Sequence, residues 1–365
     1  MIAAVFLGTI RGQEPLSPQG LTVQKSSQEY AQPNLATLTD RSRWPLPIEA
    51  SKGDTMRIAD TQIAQDQSVK YLLECDDHTM TEALYFLHHN GPHFCISSMI
   101  GCPAACRFCA SGLYGMQRPM TADEIVTQVE LMMRDLKAHH PQLDNVTHIS
   151  YQGMGEPLLN YHNVLHSIHT LKAQWPSVTT YSLSTVGVIR MLKKLLAEEM
   201  PSIDQLYISL HAADQQKRSE IIPMAQTNPI DDLVQTGADF ARHVGTPTIA
   251  SYLLLDGFND SAHDADHLLQ LVDHAHYRIQ LLVFNPIVGL PFGRVTEEKA
   301  EAFCAQLRRG GLDAYVTLSR GREIDAGCGQ LRMQRRAPHG QGGPMKRALV
   351  TLEESPAIGT NDGRL

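Results

Sequence analysis

The sequence predicts an α/β fold, a partial and open barrel of about six strand–helix units, on three observations. Short β-rich runs alternate with helical runs in which apolar residues recur three and four positions apart. Each β-rich run ends in Gly, His, Asn or Pro. The polar motifs follow those ends, and in parallel α/β folds the loops at the C-terminal ends of strands carry the chemistry.

Taken in order, residues 1–67 are low in pattern, rich in Gln, Ser and Pro, and read as an accessory segment. "SVKYLLEC" and "TEALYFLHH" read as a hairpin leading into "HFCISSMIG". The β-rich runs that follow are "NVTHISYQGMGEP", "TTYSLSTVGV", "DQLYISLHAA", "TIASYLLLDG" and "RIQLLVFNPI". Helices are predicted over "TADEIVTQVELMMRDLKAHH", "YHNVLHSIHTLKAQW" and "AHDADHLLQLVDHA". The core is placed at residues 68–345, with 346–365 as a tail. About six units are too few to close an eight-stranded barrel, so the sheet is expected to stay open.

At 365 residues, one large α/β domain with a small accessory segment is expected. Seven cysteines, odd in number and unevenly spaced, argue against a secreted disulfide framework. The N-terminal "MIAAVFLGTIRGQE" is apolar for about ten residues but has no basic region ahead of it. No later stretch reaches the roughly 18 apolar residues of a membrane span. A soluble, cytoplasmic protein with no membrane partner is expected. The net charge of −8 speaks against a broad grip on RNA phosphates. One basic run without a carboxylate, "RMQRRAPHGQGGPMKR", reads either as a solvated tail or as a phosphate contact.

Four of the cysteines fall within fifteen residues, in "PHFCISSMIGCPAACRFCAS". Cys102, Cys106 and Cys109 form a CxxxCxxC, three thiolates able to meet one metal centre from a single loop. Buried structural thiols are one reading. Zinc is another, and it needs a fourth Cys or His ligand. A [4Fe–4S] cluster held by three thiolates leaves one iron open for a further ligand. Gly101, Pro103, Arg107 and Gly112 mark an exposed loop, which favours the cluster.

A CxxxCxxC after a first strand resembles the signature of radical S-adenosylmethionine (SAM) enzymes, in which the open iron binds SAM. "GMGEPLLN" with Gly155 and Glu156, "LSTVGV" with Ser184, "ISLHAA" with Ser209 and His211, and "FNPI" with Asn285 resemble the SAM-contacting motifs of the RlmN/Cfr family of adenosine methylases. Cys328 in "REIDAGCGQLR" is similar to that family's methyl-carrying cysteine. Cys95, seven residues before Cys102, matches its resolving cysteine, and Glu82 its acid/base glutamate. Cys75 and Cys304 match nothing and are expected to be structural. The match runs over residues 68–332, with Ser-Thr-Val-Gly at 184–187 where the family carries Ser-Thr-Ser-Gly.

The resemblance implies a partial (β/α)6 radical SAM barrel, a [4Fe–4S] cluster, and two SAM molecules per turnover. One methylates Cys328. The other is cleaved at the cluster, and the resulting radical takes hydrogen from the Cys328 methyl group. The methylene radical then adds to an sp2 carbon. Glu82 takes a proton from the adduct, and Cys95 attacks the Cys328 sulfur, releasing product and leaving a disulfide to be reduced. The implied partners are 23S ribosomal RNA or tRNA, methylated at adenosine carbon 2 (carbon 8 for the Cfr branch), and a reductant such as flavodoxin or ferredoxin. Two alternatives stand beside this: a small heteroaromatic metabolite as substrate, and a non-catalytic iron–sulfur or zinc protein that borrowed the fold.

Overall fold

Four strands in antiparallel succession open the part of the chain that the computed structural model describes, which is residues 53–88, 91–113, 115–139, 146–198, 202–287 and 289–317. β1 (Met56–Ile63) pairs with β2 (Val69–Cys75), β2 with β3 (Met80–His88), and β3 with β4 (Gly91–Cys95). The expected hairpin is β2–β3. β1 lies in the stretch expected to be patternless. A register shift between Ile58 and Asp60 interrupts the alternation that would have marked it as a strand.

From β4 onward the sheet is parallel. It continues through β7 (His148–Tyr151), β8 (Thr180–Thr185), β9 (Gln205–Ser209), β10 (Thr248–Asp256), β11 (Tyr277–Val283) and β13 (Asp313–Thr317). Between β4 and β7 lie a small ladder of β5 (Met99–Gly101) with β6 (Met116–Pro119), the short α1 (Ala110–Leu113), and α2 (Ala122–His139). The later crossovers carry α3 (Tyr161–Gln174), α4 (Ile189–Leu196), α5 (Gln215–Ile221), α6 (Ile230–Val244), α7 (Ala262–Leu271) and α8 (Glu297–Arg309). β12 (Gly293–Arg294) pairs with the end of β10. Eleven strands form one sheet, and among the described residues no ladder joins β13 to β1. Among the described residues the sheet is open, as expected, with β13 added beside β11.

Local signals start the helices where they begin. Ser261 and Asp264 close a reciprocal capping box at α7. Thr121 and Glu124 do the same at α2, each side chain accepting from the other residue's backbone N–H at 3.2 and 2.8 Å. α6 stops at Gly245, which takes the left-handed conformation at φ 75°.

The two faces of the parallel sheet differ in kind. One face presents Ile149, Tyr181, Leu206, Ile208, Ala250, Ile279 and Leu281 to a core shared with the helices. Because side chains alternate along a strand, the register puts His93, Cys95, Ser150, Ser182, Ser184, Ser209, Ser251 and Gln280 on the other face. That inner face is polar and buried. Hydrogen bonds run across its strands: His93 Nε2 with Ser150 Oγ at 3.1 Å, His148 Nε2 with Ser182 Oγ at 2.8 Å, and Ser251 Oγ to Gln280 Oε1 at 3.1 Å. The rings of Phe86, His93 and His148 stack in turn at 4.2 and 3.9 Å.

Helix α6 approaches the sheet closely at Gly237. A Cβ there would lie 2.0 Å from the Tyr277 hydroxyl and 2.6 Å from Ile208 Cδ1. Tyr277 donates to the Val234 carbonyl at 2.8 Å, so it has no room to yield without losing that bond. Gly237→Ala should gain about 1 kcal/mol of helix propensity. Overpacking at about 1–3 kcal/mol and a broken buried hydrogen bond at about 1–3 kcal/mol oppose it. Net destabilisation of about 1–5 kcal/mol is expected, measured as a lower urea midpoint.

Candidate active site

The cysteine loop follows β5 and folds back on itself. Ala105 takes φ 51°, Cys109 N donates to Cys106 O at 3.1 Å, and Cys102 N to Gly115 O at 3.3 Å. Arg107 N donates to Ile221 O at 2.9 Å, fastening the loop to the end of α5. Cys102, Cys106 and Cys109 are buried, in a core with Phe108, Val186, Ile221, Ile222, Leu253 and Phe284. The exposed loop expected from Pro103 and Arg107 is therefore exposed only at Pro103, Ala105 and Arg107. Burial pushes the Cys102 thiol up to about 12 and that of Cys106 higher still. A bound metal centre supplies the positive charge that makes thiolates of them. Among the described residues no three His, Cys, Asp or Glu side chains gather as a single ion would require. Three thiolates are the protein's share of a [4Fe–4S] cluster that keeps one iron open. An all-sulfur donor set, buried on one loop, fits such a cluster.

The loop after β7 locks onto the loop after β4. Ser98 N and Met99 N both donate to Met154 O at 2.9 and 3.2 Å, and Met154 N donates to Ser97 Oγ at 2.9 Å. A Cβ at Gly153 would meet Ile96 O at 2.6 Å. Gly155 sits at φ 116° with Ser98 Oγ at 2.6 Å from where its Cβ would be. Gly153 thus allows backbone to approach backbone, and Gly155 lets the chain approach the Ser98 and Met99 side chains. Glu156 is fully buried. Its Oε1 accepts from Leu158 N at 3.1 Å and its Oε2 from Val186 N at 2.8 Å, tying the β7 loop to the β8 loop. Burial raises its carboxyl to about 7 against those hydrogen bonds.

Ser184, Ser209 and His211 come to the same end of the sheet. Ser184 and Ser209 are buried on the inner face of β8 and β9. His211 follows β9 at φ 58°, held by Leu210 N and its own N–H donating to Ser251 O at 3.0 and 3.2 Å. Its Nδ1 accepts from Leu253 N at 3.0 Å, which leaves the ring proton on Nε2. Burial, with Arg218 nearby, holds the imidazole well below its ordinary range, so it is neutral. The ring meets Phe108 of the cysteine loop edge-on at 4.9 Å. Asn285, half-buried after β11, accepts from Arg294 Nη1 at 2.9 Å, which among the described residues leaves its amide donors for another partner.

Glu82 and Cys95 share the inner face one strand apart. Cys95 pairs with Leu84, two residues along β3 from Glu82, and packs with Leu84 and Phe86 apart from the other three thiols. Glu82 is buried and forms an ion pair with Lys70 Nζ at 2.7 Å, both side chains being 2% exposed. Ser97 Oγ donates to Glu82 O at 2.5 Å, joining this pair to the site loops. Cys75 and Cys304 sit in the helix-facing core. Cys328 lies outside the described residues, as does its pairing with Cys95, and no disulfide joins any two described cysteines.

Comparison with known proteins settles the family. The Radical SAM superfamily matches residues 96–271. A "Probable dual-specificity RNA methyltransferase RlmN" of Dictyoglomus turgidum is 36% identical over 266 residues, 72% of this chain and 75% of that one. Its namesake in Chlorobium phaeobacteroides is 36% identical over 283 residues, covering 76% and 77%. This chain belongs to the RlmN family of radical SAM methyltransferases. The crystal structure of a radical SAM methyltransferase from Sphaerobacter thermophilus matches with a TM-score of 0.71 at 29% identity, over 82% of this chain and 86% of that one. As a member of the RlmN family the chain is a SAM-dependent C-methyltransferase that uses a [4Fe–4S] cluster. Among the described residues no helix is long and apolar enough to cross a membrane.

Residues without a sequence signal hold this site. Gln128 clasps Ser97 through both its N–H and its carbonyl, at 3.0 and 2.8 Å. Asn160, the last residue of "GMGEPLLN", donates to Ser98 O and Met120 O at 2.8 and 2.7 Å. Lys70 and Arg218 are buried cations that periodicity alone would place at the surface.

Glu156 gives the site a pH signature. Its folded value of about 7 lies above the ordinary 4.5, so the folded chain holds this proton where the unfolded chain has lost it. The stabilisation is complete below pH 4.5 and is lost as pH rises to about 7, a change on the order of 3 kcal/mol. Urea midpoints of the ligand-free chain should fall across that window. Glu156→Gln should be less stable overall, because one backbone donor loses its acceptor, and its midpoint should lose this dependence on pH.

Proposed function

We propose that this enzyme methylates carbon 2 of an adenosine in RNA, in 23S ribosomal RNA, in tRNA or in both. The observation that carries the reading is the likeness over 72% of the chain to relatives whose names state dual-specificity RNA methylation. Cys102, Cys106 and Cys109 hold the cluster. Gly155, Glu156, Ser184, Ser209, His211 and Asn285 surround SAM at the strand ends, where His211 offers Nε2–H and Asn285 its amide.

Bound on those thiolates, a [4Fe–4S] cluster would supply the one-electron reducing chemistry that SAM cleavage needs. Cys328 carries a methyl group from one SAM, gives up a hydrogen atom from it to the radical fragment of a second SAM, and through that carbon forms a link with adenine carbon 2. Glu82, positioned by Lys70, takes the proton that leaves carbon 2. Cys95 then attacks the Cys328 sulfur, the bond from that sulfur to the new carbon breaks with its electron pair on the carbon, which takes up a proton to become the methyl group, and a Cys95–Cys328 disulfide remains. The separation of Cys95 from the other three thiols supports this division of labour. A reductant such as flavodoxin or ferredoxin returns the enzyme to its dithiol state, which suits a cytoplasmic setting. The basic run around Arg335 and Arg336 offers phosphate contacts in a chain of net charge −8.

Mass spectrometry of nucleosides from ribosomal and transfer RNA, with and without the gene, should show a 2-methyladenosine that depends on it. If both pools are unchanged, the substrate is not RNA and a small heteroaromatic compound takes its place. In the purified enzyme, Cys328→Ala should abolish methyl transfer and keep the iron–sulfur absorbance. Cys95→Ala should accumulate an enzyme–RNA adduct visible by mass, and its absence would remove Cys95 from the reaction.

A further inference from the structure

Arg218, on α5, is wholly buried among the strand ends. Its Nε donates to Leu210 O at 3.1 Å, and its Nη2 to Val186 O at 2.6 Å and Ser209 O at 3.2 Å. These are three neutral carbonyls. Its Nη1, equally buried, has no hydrogen-bond partner among the described residues. A buried donor without an acceptor costs about 1–3 kcal/mol, more when it is charged, so a fold retains one where a ligand completes it.

Several contacts place this guanidinium beside the cysteine loop. Ile221, three residues on and on the same side of α5, accepts from Arg107 N, between Cys106 and Cys109. Ile221 and Ile222 pack in one core with Cys102, Cys106 and Cys109. Burial lowers the guanidinium to about 10, which leaves it cationic at neutral pH, and Val186, whose carbonyl it holds, packs in one core with Cys106.

We propose that Arg218 is a positioning residue for the cluster, its unpaired Nη1 taking the Cys106 sulfur as acceptor once the cluster is bound, so that a buried cation raises the cluster's reduction potential. Reduction adds negative charge to a centre already bound by three thiolates. A fixed cation and an N–H to sulfur both favour the reduced state, and net charge and sulfur hydrogen bonds are the established determinants of such potentials. This rests on the assignment of the cluster to Cys102, Cys106 and Cys109.

The test uses the full-length holoenzyme, reconstituted with iron and sulfide, as wild type, Arg218→Gln, Arg218→Lys and Cys106→Ala. Iron and sulfide content are measured first, then the potential by redox titration followed by electron paramagnetic resonance. Arg218→Gln should load iron like wild type and titrate at a more negative potential. Arg218→Lys, which keeps the charge and loses the fork, should recover part of that shift. A fully loaded Arg218→Gln at the wild-type potential overturns the proposal. So does loss of iron from both Arg218 variants, which would make Arg218 a structural strut alone. Full iron in Cys106→Ala overturns the cluster assignment beneath it, a failure separate from the first.

Discussion

Everything in this molecule depends on a parallel sheet whose two faces obey different chemistry. Parallel sheets buried on both sides usually read as continuous apolar runs, because helices cover each face. Here only the outer face packs on helices. The inner face carries hydroxyls, imidazoles, an amide and a thiol, and burying them unpaired would cost about 1–3 kcal/mol each. Cross-strand bonds such as His93–Ser150, His148–Ser182 and Ser251–Gln280 offset that cost. They also pin the register, since a slip of one residue would turn every inner group outward.

The loops above that sheet form one interlocked body. Val186 stands at its centre: its N–H donates to the buried Glu156 carboxylate and its carbonyl accepts from the buried Arg218 guanidinium. One peptide segment at the end of β8 therefore links a buried carboxyl from the β7 loop with a buried cation from α5. Gln128 and Asn160 hold the β4 loop from the helix side in a similar way. Pre-organisation of this kind lets a site bind a charged cofactor without first rearranging its own backbone.

Much of this was legible in order along the chain. The alternation of "SYQGMGEP", "SLSTVGV" and "ISLHAA" marked strands that end in polar loops, and the structure has β7, β8 and β9 there. The helices α2, α3 and α7 follow their apolar spacing. β1 was hidden because its bulge at Ile58–Asp60 broke the period, and five of its eight residues are only half-buried. Glu156 reads in the sequence as a ligand contact, yet both its oxygens already serve as struts.

The sequence by itself determined the reaction class and its sulfur ligands, because a CxxxCxxC and its companion motifs are local arrangements that a few adjacent residues can encode. Only the tertiary structure decided that Glu82 is buried against Lys70, that Cys95 stands apart from the other thiols, and that Arg218 reaches the core beneath the cysteine loop. Those facts join residues 12 and more positions apart: Lys70 with Glu82, and Arg218 with Val186. No local period records which strands will be neighbours or which face a charged side chain will enter. Packing sets that, through the burial of charge against the partner that arrives from another element.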